Sequence, residues 1–202
     1  LVFFIMNFVV ALYVFSIVPE FFLRFIFWIL SNFIYRISFL NRDALPRTGA
    51  AVIVANHISF VDWFIITAAC RRPVHFVMDN QIFKIPVLRL IFKMSKAVPI
   101  APAKENPKVK EEAFNKISAL LEDDNIVCIF PEGAISRDGS LADFRPGVEA
   151  ILKRNPVPVL PLAIKGLWGS WFSRFSGSAM KGTPKPTFRK IAVEVGAPLA
   201  AT

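Results

Sequence analysis

Apolar side chains dominate the chain before residue 41. Between Leu1 and Val18 no residue is charged, and this run lies at the lower edge of the roughly 17–25 residues that a membrane-spanning helix needs. A second apolar stretch, Phe21–Leu40, carries Arg24 and Arg36, and its polar residues cluster on one side of a helical projection. That pattern is typical of a helix lying in the membrane interface. We therefore predict membrane-associated helices over residues 1–40, the alternative being a helix hairpin buried in a larger core.

From residue 41 to residue 202 the pattern changes to short apolar runs that alternate with amphipathic segments. Such alternation predicts an α/β domain with a mostly parallel central sheet and helices on both faces. Continuous apolar runs of strand length indicate strands buried on both faces. The predicted strands are Ala50–Ala55, Val74–Met78, Ala97–Ile100, Ile126–Phe130, Val157–Ile164 and Lys190–Val195. The predicted helices are Ser59–Cys70, Gln81–Met94 (with Pro86 as a start or a kink), Pro107–Glu122 and Pro146–Arg154.

Composition narrows the class of protein. The chain is 54% hydrophobic and 19% charged, with a formal net charge of +9. So much apolar surface excludes intrinsic disorder, and two cysteines, Cys70 and Cys128, exclude a disulfide scaffold and indicate buried free thiols. An apolar and basic chain favours a membrane surface over a nucleic acid. Two histidines and two scattered cysteines form no metal-ligand pattern, so neither a metal nor another cofactor is predicted.

The first candidate chemistry follows the strand Ala50–Ala55. His57 comes two residues after that strand, and Asp62 stands five residues further on. A histidine at a strand exit is a candidate general base, and a carboxylate at this spacing can hold its tautomer across a first helical turn. The competing interpretation is a capping box, with Ser59 at the N-cap and Asp62 three residues later. On this segment alone the two interpretations are about equally good.

A second strand exit carries small residues and an arginine. Pro131-Glu132-Gly133 follows the strand Ile126–Phe130, and Arg137 comes shortly after. Free backbone N–H groups at such a place can bind an anion. Proline and glycine also mark ordinary turns, and on this segment alone an ordinary turn is the better interpretation.

Taken together, the two segments indicate a protein family much more specifically than either segment does alone. Asn-His-x-Ser-x-x-Asp at residues 56–62, followed by Phe-Pro-Glu-Gly at residues 130–133, resembles the glycerophospholipid acyltransferase family. The resemblance covers about residues 50–166. Val98–Pro102 and Gly139–Leu141 look most similar to the bacterial 2-acylglycerophosphoethanolamine acyltransferases. The opening of the chain is similar to the joint in fusions where such a domain follows a lysophospholipid transporter.

The resemblance implies roles for individual residues. His57 would deprotonate an acceptor hydroxyl, Asp62 would orient His57, and Glu132 would help to shape an acceptor phosphate site. Many members have Thr-Arg-Ser after Glu-Gly, whereas this chain has Ala-Ile-Ser, so Arg137, Lys96 or Lys104 would have to replace the missing arginine. The residues that the resemblance places at the substrate are Asn56, Ser59, Glu132, Gly133, Ser136, Arg137 and Lys104.

The implied activity is transfer of a fatty acyl group from a thioester, carried by acyl carrier protein or CoA, to a lysophospholipid hydroxyl. The expected acceptor is lysophosphatidylethanolamine. The alternatives are 1-acylglycerol 3-phosphate as the acceptor and, in a different class, a lipid-binding domain without catalysis. The expected location is the bacterial inner membrane, with the catalytic domain facing the cytoplasm and a transporter module fused or adjacent. No nucleic-acid partner is expected.

Overall fold

A computed structural model describes residues 1–17, 25, 28, 29, 35–102, 105–181 and 189–200. Its first element is helix α1, Val2–Ile17, which carries no acidic or basic residue in its terminal turns. Large apolar side chains along this helix are exposed, among them Phe3 at 82% and Phe4 at 74%. Over these described ranges, no helix is both long and apolar enough to cross a membrane.

A strand stands where the second interfacial helix was predicted to end. Residues Tyr35–Leu40 form β1, with Tyr35 buried and every second residue less exposed than its neighbours. This period of two fits a strand and not a helix, so the predicted helix Phe21–Leu40 is wrong over its last six positions. Before residue 35, most of that predicted helix lies outside the described residues.

Among the described residues, the central sheet contains β1 and six further strands: β2 (Ala51–Ala55), β3 (Val74–Asp79), β4 (Val98–Ile100), β5 (Ile126–Ile129), β6 (Val159–Lys165) and β7 (Arg189–Val195). Their order across the sheet is β1-β7-β6-β2-β5-β3-β4. Of the pairs that these described strands form, only β6–β7 is antiparallel, so the predicted mostly parallel sheet is confirmed. β1 pairs with β7, and its residues precede residue 41, the predicted start of the α/β domain.

In the part of the chain that the structure describes, four further helices connect these strands. They are α2 (Asp62–Ala69), α3 (Pro86–Met94), α4 (Pro107–Glu122) and α5 (Gly147–Arg154). Before α4, the Asn106 side chain accepts a hydrogen bond from Val109 N at 3.1 Å, and Pro107 occupies the first turn, where a proline costs no hydrogen bond. Pro86 likewise begins α3, after a short 3-10 segment at Asn80–Lys84. The predicted helix Gln81–Met94 is therefore two elements.

Helices cover both faces of the sheet. Val52 and Ile53 are adjacent in β2 and fully buried, and because strand side chains alternate in direction they reach opposite faces. Ile53 packs in the cluster that contains Ile65 of α2, whereas Val52 packs with Ile117 of α4 and Ile151 of α5. The core therefore holds the sheet between two helical layers.

The carboxyl ends of β2 and β5 lie side by side. The two strands are parallel, with Val54 opposite Ile129. The chain segments that leave them, which contain the two motifs, therefore emerge at the same edge of the sheet, where open α/β sheets bind their ligands.

Candidate active site

The imidazole of His57 and the carboxylate of Asp62 form a hydrogen-bonded pair at this edge. His57 Nδ1 lies 2.8 Å from Asp62 Oδ2. The Asp62 side chain is completely buried, while that of His57 is 20% exposed. Because Asp62 accepts the Nδ1 proton, the other ring nitrogen, Nε2, carries the lone pair when the ring is neutral.

Asp62 is bound by three further donors. The main-chain nitrogens of Ile58 and Ser59 donate to Oδ2 at 2.7 and 2.9 Å. The Ser59 hydroxyl donates to Oδ1 at 2.8 Å. Four donors around one buried side chain hold it as an acceptor, that is, as a carboxylate. The loop from residue 57 to residue 61 therefore wraps around a buried charge.

Helix α2 starts later than predicted. Asp62 is its first residue and Val61 its N-cap, so Ser59 is not the N-cap of a capping box. Its hydroxyl instead donates to Asp62 and accepts from Val61 N at 3.2 Å. Ser59 is fully buried, and its contacts position Asp62.

An aromatic ring covers one face of His57. The ring of Phe130 stacks on the imidazole with 4.1 Å between centroids and 15° between planes. The loop after β2 and the end of β5 thus share a contact through the side chain of His57. Sequence reasoning missed this role of Phe130, since a bulky apolar residue at a strand end carries no signal of its own.

Glu132 fixes the main chain of His57. Its Oε1 accepts a hydrogen bond from His57 N at 2.7 Å, and its Oε2 accepts one from Ala142 N at 3.0 Å. Glu132 is only 4% exposed. The Ser136 main-chain nitrogen in turn donates to His57 O at 2.8 Å. The two motifs are therefore joined by hydrogen bonds to both main-chain groups of His57.

Asn56 holds the exit of β2 against β6. Its amide nitrogen donates to Ile164 O at 3.0 Å, and its Oδ1 accepts from Ile164 N at 2.7 Å. The side chain replaces a pair of main-chain ladder bonds. Asn56 therefore sets where the next residue, His57, leaves the sheet.

The other sequence candidates have different surroundings. Gly133 is exposed and adopts φ +67°, a left-handed conformation that favours glycine. The Ser136 hydroxyl accepts from Gly139 N and donates to Ser140 O, both at 2.9 Å, so it closes a turn. Arg137 is exposed on that turn. Lys104 lies outside the described residues.

One cation near Gly133 was missed by the sequence reasoning. A Cβ placed on Gly133 would lie 2.7 Å from Nε of Arg145, and the Arg145 main-chain nitrogen donates to Pro131 O at 2.9 Å. No residue spacing links an arginine to a glycine twelve positions earlier across a loop, so only the folded chain reveals this contact.

The environment of the two cysteines disfavours a role as nucleophile. Both are buried and outside any disulfide, as predicted. Burial raises the pKa of the Cys128 thiol well above its usual value, which disfavours the reactive thiolate. The second histidine, His75, is also buried, and burial lowers the pKa of its imidazole. Neither the thiols nor His75 belong to the arrangement around His57.

Comparison with known proteins finds acyltransferases similar to this chain. A family model described as Acyltransferase matches residues 36–165. A chloroplastic 1-acyl-sn-glycerol-3-phosphate acyltransferase of Arabidopsis thaliana is 29% identical over 133 residues, which are 65% of this chain and 36% of that protein. A lyso-ornithine lipid O-acyltransferase of Rhizobium meliloti is 26% identical over 140 residues, 65% of this chain and 47% of that protein.

A solved structure has the same fold. The crystal structure of the 1-acyl-sn-glycerophosphate acyltransferase PlsC of Thermotoga maritima aligns with a TM-score of 0.64 at 20% identity, over 84% of this chain and 63% of that one. The chain thus spans only part of the length of each of these relatives.

Proposed function

Because the chain belongs to the acyltransferase family, we propose that it transfers a fatty acyl group from a thioester to the free hydroxyl of a lysophospholipid, with His57 as the general base. The observation that carries this proposal is the pairing of His57 Nδ1 with the buried carboxylate of Asp62 at 2.8 Å. That pairing leaves Nε2 to take a proton from a substrate.

The proposed reaction needs no acyl-enzyme. Nε2 of His57 accepts the hydroxyl proton as the acceptor oxygen attacks the thioester carbonyl carbon. The new C–O bond forms, the C–S bond breaks, and the proton on His57 passes to the leaving thiolate. Asp62 stabilises the imidazolium formed in between.

The lack of a suitable nucleophile among the described side chains supports direct attack. The hydroxyl nearest to this pair, that of Ser59, donates its proton to Asp62 and is fully buried. Both cysteine thiols are buried. Among the side chains that the structure describes, none stands as a serine or cysteine nucleophile hydrogen-bonded to His57.

The names of the relatives favour 1-acylglycerol 3-phosphate as the acceptor. Lysophosphatidylethanolamine, the acceptor expected from the sequence resemblance, stays a prediction. So does the choice between acyl carrier protein and CoA as carrier of the acyl group. All these alternatives are the same acyl transfer. They differ only in the headgroup of the acceptor or in the carrier of the acyl group.

Helix α1 supports a location at a membrane. Its exposed side chains include Phe3, Phe4 and Phe8, all more than half exposed. A helix that is apolar all round requires an apolar environment, and a net charge of +9 favours anionic lipid. The bacterial inner membrane, with the sheet on its cytoplasmic side, remains the predicted place, and a transporter module remains a predicted neighbour.

An acceptor panel tests the activity. Purified protein in mixed micelles would be given each lysophospholipid with acyl-CoA or with acyl carrier protein, and phospholipid formation and free fatty acid release would be measured separately. We expect phospholipid to form with 1-acylglycerol 3-phosphate. Fatty acid release at the same rate without any acceptor would instead indicate an esterase.

Vesicle co-sedimentation tests the role of α1. Phe4→Asp and Val9→Asp each place a charge on an exposed apolar position, and Thr48→Asp makes the same change in charge on an exposed loop. We expect the two α1 variants to release the protein from vesicles that contain anionic phospholipid, and Thr48→Asp to leave it bound. Equal binding by all three would contradict attachment through α1.

A further inference from the structure

The side chain of Arg145 lies directly over the main chain of Gly133. A Cβ placed on Gly133 would be 2.7 Å from Nε and 2.8 Å from both Cδ and Cζ of Arg145. No side chain larger than hydrogen fits there without moving the guanidinium. Because Gly133 has no side chain, the Arg145 guanidinium can pack directly against its main chain.

Among the described residues, the Arg145 guanidinium has no counter-ion. Within the described part of the chain, no carboxylate forms an ion pair with Arg145 and no acceptor is hydrogen-bonded to its side chain. The neighbouring carboxylate, Glu132, already binds the main-chain nitrogens of His57 and Ala142. The main-chain nitrogen of Arg145 donates to Pro131 O at 2.9 Å, which fixes the position of the residue. Its guanidinium pairs with no described group and is therefore suited to bind an external anion.

The loop that carries this cation is hydrogen-bonded to the loop that carries the candidate base. Glu132, one residue before Gly133, binds the main-chain nitrogen of His57 at 2.7 Å. Ser136, three residues after it, binds the His57 carbonyl at 2.8 Å. A ligand that touches Arg145 and a hydroxyl that approaches His57 would therefore meet two loops that are joined by hydrogen bonds.

The N-terminus of helix α5 follows Arg145 closely, and its first turn also contains the acidic Glu149. Helix α5 begins at Gly147, two residues after Arg145. A Cβ on Gly147 would lie 3.6 Å from the side chain of Ile129, the last residue of β5. The positive end of α5 thus starts at the same end of β5, where a helix N-terminus favours a negative group.

We propose that the Arg145 guanidinium, lying over Gly133, binds the phosphate of the acceptor lysophospholipid. This assignment rests on the proposed acyl transfer, because that reaction brings a phosphate-bearing acceptor to His57. A planar guanidinium can donate two parallel hydrogen bonds to a phosphate, which would orient the glycerol hydroxyl relative to the base.

Arg145 is a better candidate than the cation predicted from the sequence. The position at which many family members have an arginine after Glu-Gly is occupied by Ile135, which is buried. Arg137 and Arg145 are both exposed, and neither forms an ion pair with a described carboxylate. Arg145 differs in that its side chain contacts Gly133 of the motif.

Kinetics with two substrates distinguish the possible sources of the phosphate, because CoA and the acyl carrier protein prosthetic group carry phosphate too. We expect Arg145→Ala to raise the KM for 1-acylglycerol 3-phosphate about 10- to 100-fold, the range for losing a charge-assisted hydrogen bond, with the donor KM unchanged. Monoacylglycerol, which lacks phosphate, should be acylated with the same KM by the variant and the wild type. A rise confined to the donor KM would overturn the assignment.

Four further variants sharpen this test. Arg145→Lys keeps the positive charge but loses the two parallel N–H donors of the guanidinium, and should give an intermediate acceptor KM. Gly133→Ala should raise the acceptor KM by displacing the guanidinium. Arg47→Ala, at an exposed arginine before β2, should change nothing. An effect of Arg137→Ala on the acceptor KM that exceeds that of Arg145→Ala would contradict the proposal.

Direct binding separates this proposal from the proposed function. Titration of wild type, Arg145→Ala and His57→Ala with 1-acylglycerol 3-phosphate in the absence of donor requires no turnover. We expect His57→Ala to bind like the wild type and Arg145→Ala to bind at least about 10-fold more weakly. If no acyl transfer is found but this difference persists, only the reaction is refuted; if Arg145→Ala binds as tightly as wild type, the phosphate site is refuted.

Discussion

The carboxylate of Glu132 accepts a hydrogen bond from the main-chain nitrogen of His57 at 2.7 Å, across 75 positions of sequence. With its second oxygen Glu132 binds Ala142 N at 3.0 Å. One buried acidic side chain therefore connects the loop after β2, the end of β5 and the loop that leads to α5. In the proposed mechanism Glu132 acts through His57 and is a positioning residue.

Replacing Glu132 tests this positioning role. In Glu132→Gln, one of the two main-chain N–H groups faces an amide nitrogen in place of an acceptor, which should lower the free energy of unfolding by about 1–3 kcal/mol. We expect kcat to fall about 10- to 100-fold as His57 shifts, without loss of the His57–Asp62 pair. Urea unfolding and steady-state kinetics measure the two effects.

The control for this change is Glu122→Gln, at an exposed glutamate that ends α4. It should alter neither stability nor kcat. If Glu132→Gln matches this control in both measurements, the hydrogen bonds to His57 and Ala142 do not hold the site.

Asn56→Asp tests the link between β2 and β6. An aspartate keeps the acceptor for Ile164 N but sets a carboxylate oxygen 3.0 Å from Ile164 O, where the amide nitrogen now donates. We expect a loss of roughly 1–3 kcal/mol in the free energy of unfolding together with lower activity, because His57 follows directly.

Asn115→Asp is the matched control, since the exposed Oδ1 of Asn115 only accepts from Arg154 at 3.2 Å and an aspartate keeps that contact. Thermal unfolding of both variants compares their stabilities, and only Asn56→Asp should be less stable than the wild type. Equal stability would show that the Asn56 pair contributes nothing.

Ser59→Ala separates a positioning role from substrate binding. The variant removes one of the four donors to Asp62, so stability should fall by about 1–2 kcal/mol and kcat should fall less than in Asp62→Asn. The acceptor KM should stay unchanged because Ser59 is fully buried.

Ser118→Ala provides the comparison, because it also deletes one side-chain hydrogen bond, to Asn155 at 2.6 Å, but on α4. It should reduce stability and leave kcat alone. A large increase in acceptor KM for Ser59→Ala would instead place this hydroxyl at the substrate.

Thiol labelling tests the claim that both cysteines are unreactive in the folded protein. Burial raises the pKa of Cys128, so its thiol stays protonated at neutral pH, and Cys70 is buried as well. Iodoacetamide at about pH 8, near the pKa of an exposed thiol, should modify neither cysteine in the folded protein and both after unfolding, as read by intact mass. Stoichiometric labelling of the folded protein would show an accessible, reactive thiol and contradict this claim.

The sequence predicted the sheet well where hydrophobic pattern and local chemistry agree. Helix α4 has both ends as predicted, Pro107 and Glu122, because an asparagine cap, a proline and an amphipathic period coincide there. The prediction failed at β1, where six residues of period two stand next to a long apolar run. In such a short segment, pairing with β7 decides the structure, and that partner is distant in sequence.

The candidate site shows the same division. The spacing of His57 and Asp62 allowed their contact without deciding it, and the resemblance of the motif implied it. The donors from Ile58 and Ser59, the stacking of Phe130 and the contact of Arg145 with Gly133 depend on loop conformation. Loops are shaped by side chain to main chain hydrogen bonds that no residue period encodes.

The most direct test of the proposed chemistry is the rate of phospholipid formation from an acyl thioester and 1-acylglycerol 3-phosphate by wild type, His57→Ala and Asp62→Asn. Asp123→Asn, at an exposed aspartate after α4, is the control. We expect kcat to fall about 10²- to 10⁴-fold in the first two variants, the usual contribution of a general base, while the control keeps the wild-type rate. Wild-type kcat in a folded His57→Ala protein would contradict the account.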